Sequence, residues 1–188
     1  MRALPGLSAV FLTVLCSHHV LACPAGYEFN DVFNKCIKIV HLTGSENTQK
    51  KIFDVCRNEA PQHRGVVLPV TNKRQNFELA KLLWRQRTYH SSGVGVVIGL
   101  HVPEHKQWSR NNFEWDSYQD SEGRMVPTSY SGFRNWRRGE PNNSNDDNTV
   151  PEKLVGLLSW GTSSDLRWHD INVREVHWTF KHIACTIV

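Results

Sequence analysis

Trp136-Arg137-Arg138-Gly139-Glu140-Pro141-Asn142-Asn143-Ser144-Asn145-Asp146-Asp147-Asn148 is the stretch on which the reading of this chain turns. From Glu140 to Asn148, seven of nine side chains carry a carbonyl or carboxylate oxygen, and no Lys or Arg interrupts them. A hard cation such as Ca²⁺ takes about six to eight oxygen ligands, so this composition suits a metal loop. It is not an EF-hand. With Asn143 at loop position one, Asn148 stands where Gly is needed and Leu154 where the bidentate Glu is needed. Taken alone, the stretch also reads as a solvated Asn/Asp turn, so its surroundings decide.

Upstream, Ile37–Val40 has the apolar density of a strand. Thr48 to Glu59 reads as a helix with Ile52, Val55, Cys56 and Glu59 on one face, ended by Pro61. Gly65–Val70 is a short buried strand. Asn72 can cap a second helix to about Arg87, with Phe77, Ala80, Leu83 and Trp84 as its apolar stripe. Val94–Leu100 is a wholly apolar strand. Periodicity then fails from His101 to Val150, where Pro and Gly punctuate an aromatic-rich stretch that reads as a packed functional loop. Leu154–Trp160 and Val176–Val188 read as closing strands.

Of 188 residues, 39% are hydrophobic and 21% charged, which is globular composition for one domain. The net charge is +4, and no Lys/Arg run exceeds two, so nucleic-acid binding is not expected. Residues 1–22 read as a signal peptide: Arg2, an apolar Ala9–Leu15 core, and Val20-Leu21-Ala22 before Cys23. The Leu-Ala-Cys end also resembles a bacterial lipid-attachment box, but lipidation would remove Cys23 from disulfide pairing. No later apolar run approaches the roughly 18 residues of a membrane span, so membrane insertion is not expected. The expected mature domain is residues 23–188, secreted and extracellular. Cleavage removes Cys16 and leaves four cysteines, which allow three pairings. Cys23 and Cys36 flank a short aromatic segment and read as the base of a stapled hairpin. Cys56 and Cys185 would then join.

Val97-Ile98-Gly99-Leu100, Phe113-Glu114-Trp115, the Asn135–Asn143 string, Trp168-His169-Asp170 and Ile183-Ala184-Cys185 occur in that order. Together they resemble the C-type lectin-like domain family across residues 23 to 188. The Trp-x-x-Gly-Glu-Pro-Asn-Asn string is the most specific part. The resemblance implies an α+β fold: two helices, small antiparallel sheets joining the termini, and a long loop carrying the binding site. The Cys23–Cys36 pair resembles the family's long form. In sugar-binding members, Glu and Asn of Glu-Pro-Asn ligate Ca²⁺ across a cis proline. By that resemblance the metal ligands here are Glu140, Asn142, Asp147 and Asp170, with Asp146 and Glu152 as alternatives for the intervening acid. Glu140, Asn142, His169 and Asp170 would contact the sugar, of the mannose, N-acetylglucosamine or fucose type, on cell or microbial glycans.

Two departures stand out. His169 occupies the place of the family Asn, and nitrogen suits a hard cation poorly. The family's inner disulfide is missing, with Leu154 and Val173, or Thr149 for the first, at its positions. Asn142-Asn143-Ser144 is an N-glycosylation acceptor, expected empty if Asn142 turns inward to a metal. His101-Val-Pro-Glu-His105 matches an inverted zinc-protease pattern, but Pro103 opposes the helix that chemistry needs. The ten histidines, two of them in the expected signal segment, read as surface residues. The expected activity is Ca²⁺-dependent carbohydrate binding, not catalysis. A matrix or partner-binding module on the same fold, with a degenerate calcium site, is the alternative.

Overall fold

The computed structural model describes residues 23–85, 94–119, 122, 124–128, 130, 132–144, 149–159 and 166–188. The expected signal peptide, Asp146 and Asp147 lie outside the described residues. In chain order the strands are β1 (Glu28–Asn30), β2 (Lys35–His41), β3 (Gly65–Val67), β4 (Val94–His101), β5 (Glu114–Gln119), β6 (Met125–Thr128), β7 (Leu154–Ser159), β8 (Arg167–Ile171) and β9 (His182–Ile187). The helices are α1 (Gln49–Glu59) and α2 (Lys73–Arg85). The path β1-β2-β9-β4-β5-β6 runs through one mixed sheet, with β3 on β9 and β7 between β4 and β8. The expected small antiparallel sheets are therefore joined into one, by parallel pairing of Val96 and Val97 with His182 and Ile183.

Thr48 caps α1, its hydroxyl accepting from Lys51 N–H. The buried face is Gln49, Ile52, Phe53 and Cys56, rotated from the sequence expectation because Phe53 packs inward and Glu59 stays exposed. Asn72 caps α2 by accepting from Gln75 N–H at 2.9 Å. Leu79, Ala80 and Leu83 are buried on α2, whereas Phe77 is 51% exposed, contrary to the expected stripe. Leu79 with Leu83 (i, i+4) and Phe77 with Ala80 (i, i+3) are both at helical spacing, and only the neighbouring sheet decides which face turns in.

The strand expected over Gly65–Val70 ends at Val67. The strand expected over Val176–Val188 begins at His182, after a 3-10 turn at Glu175–His177. Strand β8 was not expected; its polar Arg-Trp-His-Asp start hides a strand whose Trp168 is wholly buried. Strands β5 and β6 likewise emerge from the aperiodic stretch.

Both disulfides form as expected, Cys23–Cys36 with Cα atoms 5.6 Å apart and Cys56–Cys185 at 5.2 Å. Leu154 is buried and Val173 packs partly buried against the same apolar cluster, so the positions of the missing disulfide are filled by contact alone. Two histidines expected at the surface are buried, His101 at the end of β4 and His182 on β9. His101 ends a strand and His105 lies in an exposed turn, which removes the helix needed for zinc-protease chemistry. No helix among the described residues is long and apolar enough to cross a membrane.

Candidate functional site

Trp168 is the hub. Its ring is fully buried and meets Phe133, Trp136 and Trp115 edge-on at 5.4, 5.6 and 6.0 Å between centroids. Its indole N–H donates to Asn76 Oδ1 at 2.9 Å. Backbone pairing ties the long loop to it: Trp168 N–H donates to Asn135 O, and Arg137 N–H to Trp168 O. The chain then turns, with Glu140 N–H donating to Arg137 O at 3.0 Å. Residues adjacent to a buried strand are thereby held rigidly against it. The next two residues of β8, His169 and Asp170, consequently face the Glu140–Asn143 segment.

The Glu140–Pro141 bond is cis, as the resemblance implied. Asp170 grips the turn beyond it. Asn142 N–H donates to Asp170 Oδ1 at 3.0 Å, Asn143 N–H to Oδ2 at 2.8 Å, and the Trp108 indole to Oδ2 at 3.2 Å. Arg110 Nε donates to Pro141 O at 2.9 Å. Asn143 Oδ1 accepts from Glu152 N–H at 2.9 Å, which brings Glu152 into the site.

The expected ligands separate on this frame. Glu140, His169 and Asp170 come together; His169 Nδ1 lies 3.6 Å from Glu140 Oε1, both side chains largely buried. Asn142 does not turn inward. It is exposed, and its Oδ1 accepts from Ser144 N–H in a local Asx turn. The reason given for an empty glycosylation site therefore fails. Asp147 and Asp146 lie outside the described residues. The acid that the structure does place here is Glu152, only 3% exposed, with Oε2 buried and unpartnered. Its place follows from the strand pairing: it lies two residues before β7, and Val155 of β7 pairs with Asp170 of β8. Asn143, which accepts a backbone N–H, and Trp108, which donates to the Asp170 carboxylate, were missed, since neither role leaves a composition signal.

The electrostatics follow from crowding. Burial, and then the Asp170 carboxylate, push the Glu140 carboxyl up to about 7. Burial, then the charges of Asp170, Glu175 and Glu140, push Glu152 to about 8. Burial and the Arg137 guanidinium hold His169 below its usual value, against the opposing pull of Asp170. His169 is therefore neutral near pH 7. Near neutrality this acidic floor retains protons where a bound cation could neutralise it.

The residues present were compared with what a hard cation needs. Glu140, Glu152 and Asp170 supply the right oxygen chemistry, and the orphaned Glu152 oxygen is a vacant donor position. Among the described residues, however, no group of three or more His, Cys, Asp or Glu side chains already stands as a metal site. Asp170 is turned toward the loop N–H groups and Asn142 toward Ser144. The donor set fits by chemistry, and Asn142 and His169 are its weak members.

No family model matches the chain. Solved structures do. The C-type lectin CEL-I from Cucumaria echinata has a TM-score of 0.55 at 16% identity, covering 88% of this chain and 97% of that one. Human lithostathine has a TM-score of 0.55 at 19% identity, covering 88% and 90%. The Ca²⁺-independent C-type lectin SPL-2 from Saxidomus purpuratus has a TM-score of 0.54 at 18% identity, covering 88% and 93%. Two of these are named as C-type lectins, and similarity at such identity speaks to fold. Together with the two helices, the mixed sheet and the cis Glu140–Pro141 turn held against β8, it shows that this chain has the C-type lectin-like fold.

Proposed function

We propose that this chain is a secreted carbohydrate-binding module that takes Ca²⁺ at Glu140, Glu152 and Asp170, and through it a glycan of the mannose, N-acetylglucosamine or fucose type on cell or microbial surfaces. One observation carries the reading: three acidic side chains meet behind a cis Glu140–Pro141 turn, the most buried of them with an unpartnered oxygen. The acid completing the site in this reading is Glu152; Asp147 lies outside the described residues. Binding Ca²⁺ there would draw Asn142 from its Asx turn, at the loss of one local hydrogen bond. The two disulfides suit an oxidising, extracellular setting. Isothermal calorimetry with CaCl₂, followed by a glycan array with Ca²⁺ and with chelator, tests it. Saturable Ca²⁺ binding and chelator-sensitive retention of mannose-type glycans are expected; array binding unaffected by chelator would overturn the calcium role.

A second reading has its own observation. His169 puts nitrogen beside Glu140, and Asp170 is already engaged by three N–H donors. A partner-binding module with a degenerate metal site would look like this, and silence of the calorimetry and the array together would favour it.

A further inference from the structure

On another part of the fold, a cleft of about 710 Å³ opens between α1, the end of β4 and the start of β5. None of its lining residues belongs to the Glu140–Asp170 site. Two polar side chains at its wall are more than nine-tenths buried. Gln49 is 7% exposed; its amide N–H donates to Val102 O at 3.2 Å, while Oε1 is buried with no partner. His101 is 8% exposed, and its Nδ1 lies 3.1 Å from Gly99 O. A carbonyl only accepts, so Nδ1 carries the proton. Burial keeps this imidazole neutral, leaving Nε2 as a bare acceptor with no partner among the described residues.

The charged groups around these acceptors are mostly spent on one another. Arg57 bonds Asp116 at 2.8 Å, Lys50 pairs with Asp54, and Lys106 with Glu114. Glu104 differs. One of its oxygens accepts from Lys50 N–H at the start of α1, and no Lys or Arg side chain pairs with it among the described residues. The walls between are apolar, from Phe53, Pro103 and Val66. Among the described residues the cleft thus offers two acceptors on buried side chains, one carboxylate without a Lys or Arg partner, and an apolar lining.

We propose that this cleft is a second binding site, for a protonated primary amine on a short alkyl stem. The ammonium would donate to Glu104, Gln49 Oε1 and His101 Nε2, and the stem would lie on Phe53 and Pro103. A lysine side chain of a partner protein and a free alkyldiamine share this chemistry. Nothing in the inference depends on Ca²⁺ or sugar binding.

The test uses the disulfide-bonded chain in chelator, with NMR signals of the Gln49 side-chain amide and the His101 ring as reporters. The probes are N-acetyl-lysine methylamide, 1,5-diaminopentane, and N-acetyl-norleucine methylamide as the uncharged control. Saturable shifts at both reporters with an amine probe, and about tenfold weaker ones with norleucine, are expected. Preference between the two amines identifies the source. Glu104→Gln keeps an acceptor for Lys50 N–H while removing the charge, so helix α1 should persist; amine binding should fall about tenfold. Equal affinity for lysine and norleucine probes, no response from either reporter, or unchanged binding in Glu104→Gln with its fold intact by circular dichroism would each overturn the proposal.

Discussion

Glu152→Gln is the substitution that separates a crowded acid site from an ordinary buried carboxyl. In the metal-free protein the Glu152 carboxyl is moved from its ordinary 4.5 to about 8, chiefly by burial. At about 1.4 kcal/mol per pH unit, its charged form is penalised by about 5 kcal/mol above pH 8. Glutamine removes that charge but buries an amide where Oε2 has no partner, which costs about 1–3 kcal/mol. The net effect at pH 9 is a stabilisation of about 2–4 kcal/mol. For a domain of this size that is about 4–16 °C in Tm. At pH 6 the native carboxyl is protonated but the unfolded one is ionised, so the wild type has already lost about 2 kcal/mol; this offsets the amide cost, and the two proteins should melt within about 1 kcal/mol of each other. Thermal unfolding in chelator at pH 6 and pH 9 measures both. In Ca²⁺ the order should invert, since only the wild type retains the carboxylate that would gain from the ion. A Gln variant less stable than wild type at pH 9, or displaced equally at both pH values, would refute the account of Glu152.

Other outcomes follow from the same structure. Both Glu140 and Glu152 have raised folded-state values, so the stability they contribute is complete below about 4.5 and is lost as pH rises through about 7 and about 8. The chelated wild type should therefore melt at a lower temperature at pH 9 than at pH 6, and a rising or flat profile would contradict this. His169→Asn replaces ring nitrogen by amide oxygen beside Glu140 and should strengthen Ca²⁺ and sugar binding several-fold, about 1 kcal/mol by calorimetry; unchanged Ca²⁺ binding would sink the ligand assignment. Gly156→Ala should cost about 1–3 kcal/mol in urea denaturation, because a Cβ there would sit 2.3 Å from Phe180 Cε1; an unchanged midpoint would mean that Phe180 yields freely.

Much of the fold was legible because local rules and tertiary needs agree. Thr48 and Asn72 cap their helices, Val94–His101 is apolar enough to be a central strand, and the Trp-x-x-Gly-Glu-Pro-Asn-Asn string carries the turn geometry with it. Reading failed where an element is set by its neighbour. Phe77 satisfies the helical period but faces outward, since Leu79 fits the sheet instead. Strand β8 has polar residues on three of its five positions and exists because β7 pairs along its whole length.

At the site, the chain's own order determines which donors are available: a turn dense in oxygen, a Trp-His-Asp segment, and four cysteines with a workable pairing. Which donors meet is a three-dimensional matter. Asn142 and Glu152 are ten positions apart, and both carry oxygen suited to a hard cation. Sequence spacing favours the first, since it adjoins Glu140. Folding exposes Asn142 to solvent in its own Asx turn and, through the β7–β8 register and the Asn143–Glu152 bond, buries Glu152 against Asp170. Hydrogen bonds within a turn are satisfied locally, whereas a carboxyl is driven into an acidic pocket only when long-range strand pairing leaves it nowhere else to go.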